Sequence, residues 1–166
     1  MKNLPPSPTD EDDSSPDIRL VLALVVAFLA CVATLLRLPA PDVDEMYFAS
    51  RAVGLLRTGV PFGPLDSGVA QPFAGYWTYF PFIGTFFQSM AIRAFGLNLV
   101  AIRLPSLIFG LVLLYATYSI GRRLYSPSAG VVAALLVATS ASFYYSAHVG
   151  RQDIFVAALG YLAISL

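Results

Sequence analysis

The 166-residue chain is 57% hydrophobic and only 12% charged, which is too apolar for a water-soluble domain and typical of a membrane protein. Ten basic and ten acidic residues give a net charge of zero, so the composition argues against nucleic acid binding and against a polybasic membrane anchor. The only cysteine, Cys31, lies inside an apolar run. An intrachain disulfide and a thiolate metal site are therefore excluded, and packing is its predicted role.

The first 17 residues contain five acidic residues and four prolines and have no apolar pattern. This composition predicts a disordered acidic tail over residues 1–17, and its negative charge is unlike that of a signal peptide. Residues 18–166 are predicted to form one membrane domain. Its final apolar segment reaches only 13 residues, from 154 to 166, so we expect the N-terminal part of a longer protein.

Five apolar segments are predicted along the chain, at residues 18–38, 76–95, 104–120, 129–147 and 154–166. About 20 apolar residues cross the hydrocarbon core as a helix. Arg122 and Arg123 occupy the short connection after the third segment, and basic residues in short loops favour the cytoplasmic side. The third segment is therefore expected to run inward and the fourth outward, so that residues 148–153 emerge on the extracytoplasmic side.

The second segment, residues 76–95, cannot cross completely if the first segment also leads outward. It contains Pro81, Gly84, Gln88 and Arg93 among eight aromatic residues. Aromatic residues favour the membrane interface, so we predict a helix lying in or dipping into the outer leaflet. The alternative is that this segment spans the bilayer and that the two polar loops face opposite sides.

A cluster of three carboxylates, Asp42, Asp44 and Glu45, directly follows the first apolar segment. Adjacent residues on a helix diverge by about 100°, so Asp44 and Glu45 cannot share a proton as a close pair and are expected to have separate roles. The alternative is structural: Asp44 caps the helix and Glu45 stabilises its first turn.

Residues 44–58 are predicted to form a short juxtamembrane helix ended by Gly59, with an irregular loop over residues 59–74. Arg51 is expected outside the apolar face of this helix. The residues of that face are Phe48, Ala52, Leu55 and Leu56.

A second polar group, His148, Arg151 and Asp153, follows the fourth segment. An arginine there can hold a phosphate while the carboxylate orders a partner group or a cation. Alternatively, Arg151 snorkels and Asp153 caps the next helix. His148 is a poor metal ligand candidate because the chain has no second histidine. Arg103 is predicted to be an interface anchor.

Several short stretches carry a family resemblance that extends over nearly all of residues 18–166. After the first predicted spanning helix they are, in order, VDEMYFA (43–49), QPFAGYW (71–77), FGL (95–97), RLPS (103–106), GRRLY (121–125), ATS (138–140) and RQD (151–153). The chain thereby resembles the N-terminal portion of GT-C glycosyltransferases that use polyprenyl or dolichyl phosphate sugars, of the protein mannosyltransferase (glycosyltransferase family 39) and aminoarabinose transferase type. The expected fold is an all-α polytopic membrane protein with juxtamembrane helices in its first extracytoplasmic loop.

The resemblance implies transfer of a sugar, with inversion, to a hydroxyl of a protein, lipid or glycan on the extracytoplasmic face. Asp44 would be the catalytic base that takes the proton of the acceptor hydroxyl, and Glu45 would help to orient the acceptor. Asp153 would match the second acidic position, with Arg151 near the donor phosphate. The N-terminus would be cytoplasmic in a plasma or ER-type membrane, and a chain of this length is not expected to turn over alone.

Gln71 departs from the family pattern, because relatives commonly have a lysine there. Its amide can donate a hydrogen bond to the donor phosphate but supplies no charge. Some relatives use a divalent cation and others do not, so the resemblance predicts no particular metal. The alternative function is a non-catalytic subunit that binds the carrier lipid or assists assembly.

Overall fold

The computed structural model describes residues 18–66 and 82–166. All regular secondary structure in these two ranges is helical, which confirms the predicted all-α class. The helices are α1 (Ile18–Thr34), α2 (Val43–Thr58), α3 (Phe82–Phe95), α4 (Leu99–Leu124), α5 (Pro127–Ala138), α6 (Ala141–His148) and α7 (Asp153–Ser165), with a 3-10 turn at Pro64–Asp66. The predicted tail at residues 1–17, Gln71, and the first part of the aromatic segment lie outside the described residues.

Helix α4 is central and packs against α3, α5, α6 and α7. It has 26 residues and begins after Asn98, whose side chain accepts a hydrogen bond from the N–H of Ala101. Within the described ranges, α4 is the one helix long and apolar enough to cross a membrane by itself. Helices α5 and α6 together meet the same criterion but are bent by 67°, and α1 and α7 are shorter apolar helices.

The core of the bundle lies between α4, α6 and α7, where Leu114, Ala147 and Phe155 are fully buried. The ring of Phe109 lies 5.1 Å from that of Phe87 and 4.5 Å from that of Phe155, which connects α3, α4 and α7. Such dispersion contacts replace the hydrophobic driving force that is missing between helices in lipid.

Helices α4 and α5 approach closely at Gly130. A Cβ atom at this position would lie 2.6 Å from the carbonyl oxygen of Tyr118. Gly130→Ala is therefore expected to force the two helices apart and to lower stability by about 1–3 kcal/mol. Thermal unfolding in detergent micelles measures this. The control is Gly160→Ala, which meets no atom within 4 Å and should be neutral or slightly stabilising; equal losses for both variants would contradict the close approach.

Helix α2 differs from its prediction at its beginning and on its buried face. It begins at Val43, and its N-cap is Asp42 rather than Asp44, with Asp42 and Glu45 forming a capping box. Gly59 ends it, as predicted, and has the left-handed conformation. Phe48 and Ala52 are buried as predicted, but Leu56 is 40% exposed.

Arg51 was predicted to lie outside the apolar face of α2, and the structure buries it instead. Its Nη2 lies 2.9 Å from Oδ1 of Asp66, which is also buried. The guanidinium stacks on the ring of Tyr47 at 4.3 Å. The Arg51 side chain and the N–H of Gly63 hold the pKa of Asp66 below its ordinary value although burial alone would raise it. This ion pair fixes the 3-10 turn against α2.

Candidate functional site

The candidate site lies where the first turn of α2 meets the turn between α6 and α7, residues 149–152. Nη1 of Arg151 is 2.9 Å from Oδ2 of Asp44. Nε of Arg151 is also 2.9 Å from Oδ2 of Asp153, an ion-pair contact without hydrogen-bond geometry. One guanidinium thus lies between two carboxylates that are far apart in sequence.

These three side chains are accessible to solvent. The exposed fractions are 33% for Arg151, 48% for Asp44 and 63% for Asp153. Ion pairs with this exposure contribute little to the free energy of unfolding. The fold therefore tolerates the loss of either contact. Partial burial alone would lower the pKa of Arg151, but the carboxylates of Asp153 and Asp44 outweigh it and raise the pKa.

Tyr145 adds a hydroxyl group to this cluster, although sequence analysis did not single it out. The Tyr145 hydroxyl on α6 donates a hydrogen bond to Oδ2 of Asp42. This bond is the largest cause of the lowered pKa of Asp42, followed by the hydrogen bond from the N–H of Asp44. The hydroxyl also interacts with Arg151. In the sequence, nothing distinguishes Tyr145 from the many other aromatic residues. Its partner Asp42 was recognisable as part of the acidic cluster.

Glu45 lies directly behind the site and is completely buried. Its Oε1 is 2.7 Å from Nε of Arg103 and accepts a hydrogen bond from the N–H of Gly150 at 2.9 Å. Its Oε2 is 2.7 Å from Nη2 of Arg103 and accepts a hydrogen bond from the N–H of Asp42 at 3.0 Å. Both carboxylate oxygens of Glu45 are therefore occupied by protein donors.

Arg103 is not the interface anchor that was predicted, because it is fully buried in this ion pair with Glu45. It also donates hydrogen bonds to the carbonyl oxygens of Leu35 at 2.6 Å and Pro39 at 3.0 Å. An arginine removed from water needs hydrogen-bond acceptors, and each of the three guanidinium nitrogens of Arg103 has at least one. Arg103 thus joins α4 to the start of α2 and to the connection after α1.

His148 is buried and contacts the end of α1. Its Nε2 lies 2.9 Å from Oγ1 of Thr34 and 3.1 Å from the carbonyl oxygen of Cys31, and its Nδ1 lies 2.8 Å from the carbonyl oxygen of Tyr144. These contacts give it a structural role between α1 and α6. Residues 18–66 and 82–166 contain no group of three or more histidine, cysteine or acidic side chains arranged to hold a metal ion.

An apolar cleft of about 750 Å³ borders the polar cluster at Tyr145. One wall is the connection after α1, and the other is the bend between α5 and α6. The lining residues are Leu38, Pro39, Ala138, Thr139, Ser140, Ala141, Tyr144 and Tyr145. The cleft therefore places apolar surface next to Tyr145, whose hydroxyl interacts with Arg151.

The structure brings together three of the five predicted site residues, Asp44, Arg151 and Asp153. Glu45 lies behind them, and Gln71 lies outside the described residues. Asp153 is the first residue of α7 and does not act as its cap, which is Gln152. The ion pair between Asp44 and Arg151 brings the two polar stretches into contact.

The second part of the chain matches a known protein family. The family described as dolichyl-phosphate-mannose-protein mannosyltransferase matches residues 80–166, just over half of the chain. This range includes Arg103, Arg151 and Asp153 but not the acidic cluster before α2. No curated protein and no solved structure gave a significant match. The chain belongs to the dolichyl-phosphate-mannose-protein mannosyltransferase family of GT-C glycosyltransferases.

Proposed function

We propose that this chain carries catalytic residues of a membrane glycosyltransferase that moves a sugar from a polyprenyl phosphate donor to a hydroxyl acceptor. The observation that carries the proposal is the Arg151 guanidinium between the exposed carboxylates of Asp44 and Asp153. Glycosyl transfer from a phosphate-linked donor needs a base for the incoming hydroxyl and a positive charge for the departing phosphate. The three side chains offer both.

Arg151 is assigned to the donor phosphate. A guanidinium presents several N–H donors in a plane and can bind two phosphate oxygens at once. Its exposed ion pairs with carboxylates contribute little in water, so a phosphate can replace them. The family description names a dolichyl phosphate sugar as donor, and a long isoprenoid needs an apolar path next to the cation. The cleft beside Tyr145 offers apolar surface, and Tyr145 also interacts with Arg151.

Asp44 is assigned to the acceptor as general base. Its side chain is about half exposed, so an acceptor hydroxyl can approach it within hydrogen-bond distance. Inversion requires the nucleophile and the leaving phosphate to lie on opposite faces of the anomeric carbon. Substrate binding must therefore open the exposed ion pair between Asp44 and Arg151, so that the sugar ring lies between Asp44 and the phosphate held by Arg151. Asp153 keeps its contact with Arg151.

Glu45 is assigned a positioning role rather than a contact with the acceptor. Its carboxylate is buried and already accepts from Arg103, Gly150 and Asp42. Glu45 directly follows Asp44 in the sequence, and its hydrogen bond from the N–H of Gly150 holds the residue that precedes Arg151. The contact of Gln71 with the donor phosphate remains a prediction.

The extracytoplasmic location of the site is supported by the two ends of α4. Arg103 lies near its beginning, beside the site, whereas Arg122 and Arg123 lie in its last turn. A helix of 26 residues is about 39 Å long and reaches across a hydrocarbon core of about 30 Å. If the arginine pair is cytoplasmic, the site faces the opposite side, as in a multi-pass protein with a cytoplasmic N-terminus.

The phosphate assignment is tested by measuring how the chain, reconstituted in lipid nanodiscs, binds farnesyl phosphate. Arg151→Gln is expected to weaken binding about 10- to 100-fold, because a charge-assisted phosphate contact is lost. Binding of farnesol, which has no phosphate, should be unchanged. Arg57→Gln, at an exposed arginine in the last turn of α2, is the matched control. Equal affinity of the Arg151 and Arg57 variants for farnesyl phosphate would remove Arg151 from the donor site.

A further inference from the structure

Gln88 of α3 is a buried polar residue for which neither the sequence nor the proposed chemistry provides a role. Its side chain is completely buried. Nε2 donates to the carbonyl oxygen of Gly150 at 2.6 Å and to that of Ile102 at 3.3 Å. Burying an amide costs free energy unless its polar atoms are hydrogen-bonded, and these two bonds offset the cost for Nε2. These contacts connect α3 to the turn that carries Arg151.

At Gly150 the backbone of this turn packs closely against α4. A Cβ atom there would lie 2.5 Å from Cγ2 of Ile102, 3.0 Å from the Ile102 carbonyl oxygen and 3.2 Å from Nε2 of Gln88. Only glycine fits without displacing α4 or the amide of Gln88. The backbone immediately before Arg151 is therefore fixed by Ile102 of α4 on one side and by Gln88 of α3 on the other.

The residues on the other side of the turn are also in contact with neighbouring helices. Nε2 of Gln152 donates to Oγ1 of Thr85 on α3 at 2.8 Å. Oγ of Ser106 on α4 donates to the carbonyl oxygen of Arg151 at 3.3 Å. Helix α3 thus contacts the residue before Arg151 through Gln88 and the residue after it through Thr85.

We infer that Gln88 is a positioning residue that sets where the Arg151 guanidinium meets the donor phosphate. The inference rests on the proposed function, in which Arg151 binds that phosphate. The exposed ion pairs of Arg151 are too weak in water to fix its position, so the backbone of the turn has to fix it. Gln88 acts on that backbone through Gly150. Buried behind the turn, it has no access to substrate.

The test is Gln88→Met, which keeps the side-chain length but removes the donor. Oε1 of Gln88 has no hydrogen-bond partner among the described residues, so the variant also removes an unsatisfied oxygen, which limits the net loss of stability. Phenylglyoxal modification of Arg151, followed by mass spectrometry of the chain in nanodiscs, reports on the guanidinium itself. Farnesyl phosphate is expected to protect Arg151 in the wild type, and the half-protecting concentration should rise about tenfold in Gln88→Met.

Ser89→Ala is the matched control, because Ser89 is a buried polar residue of α3 whose one hydrogen bond among the described residues stays within its own helix, to the carbonyl oxygen of Phe86. It should leave protection of Arg151 unchanged. Thr85→Val, which removes the acceptor of Gln152, provides a second variant if Gln88→Met does not fold, and it should raise the half-protecting concentration several-fold.

Equal protection of Arg151 in the wild type, Gln88→Met and Thr85→Val would overturn the positioning role while leaving the phosphate site in place. Absence of protection in the wild type would overturn the phosphate site and the positioning role together. A change in unfolding temperature without a change in protection would identify Gln88 as a purely structural residue and would also overturn the inference.

Discussion

Asp44→Asn is expected to lower the rate of sugar transfer by about 100- to 10,000-fold, the usual contribution of a general base. Asparagine has the same shape and can still accept a hydrogen bond from Arg151, but it cannot take the proton of the acceptor hydroxyl. The affinity for the donor should therefore change little. Transfer of a radiolabelled sugar from a polyprenyl phosphate donor measures the rate, and farnesyl phosphate binding measures the donor site.

Asp153→Asn is the matched control for this prediction, since it removes the other carboxylate in contact with Arg151. It is expected to alter donor binding more than the rate at saturating donor. Near wild-type transfer by Asp44→Asn would remove Asp44 from the base role. No measurable transfer by the wild type, together with labelling of the chain by a photoreactive polyprenyl phosphate, would favour a non-catalytic subunit that binds the carrier lipid.

Arg103→Met is expected to be the most destabilising single change, at about 3–5 kcal/mol, because it leaves the Glu45 carboxylate buried without its cationic partner. Both side chains of the pair are 0% exposed, so water cannot replace the lost donors without opening the bundle. Chemical unfolding in mild detergent, followed by circular dichroism, measures the loss. Arg123→Met, at an exposed arginine in the last turn of α4, should change stability by less than about 0.5 kcal/mol.

The double variant Glu45→Leu with Arg103→Met distinguishes a buried charge from a simple loss of packing. Removing both charges should recover much of the stability lost in Arg103→Met, since an apolar pair has no desolvation penalty. Sugar transfer should stay low in the double variant, because the N–H of Gly150 has lost its acceptor. A double variant as unstable as the single one would show that the pair acts through shape rather than charge.

The helical fold was predictable because a lipid environment requires long apolar segments whose backbone groups are satisfied internally. The boundaries were less accurate. The first apolar segment continues to residue 38, but α1 ends at Thr34. Asp42 rather than Asp44 caps α2, and three carboxylates so close together gave no means of choosing among them.

The two buried arginines could not be predicted from their local sequence. An arginine beside an apolar segment is usually a snorkelling residue, so Arg103 was interpreted as an anchor. Its partner Glu45 is 58 positions away, and only the tertiary fold brings the two together. Arg51 was misplaced for the same reason, since Asp66 lies beyond the end of its helix. The grouping of Asp44 with Arg151 and Asp153 was predicted from the family resemblance. Nothing in the sequence around Gln88 indicated that it contacts the turn before Arg151.

The hydrogen bond from the N–H of Gly150 to Glu45 connects the two chain segments that carry Asp44 and Arg151. Asp44 and Arg151 are each one residue away from an atom in this bond, so the spacing between them is set locally. Tilting or sliding of the apolar helices to match a thicker or thinner bilayer should leave that spacing almost unchanged. The geometry of the proposed site should therefore depend little on the thickness of the bilayer.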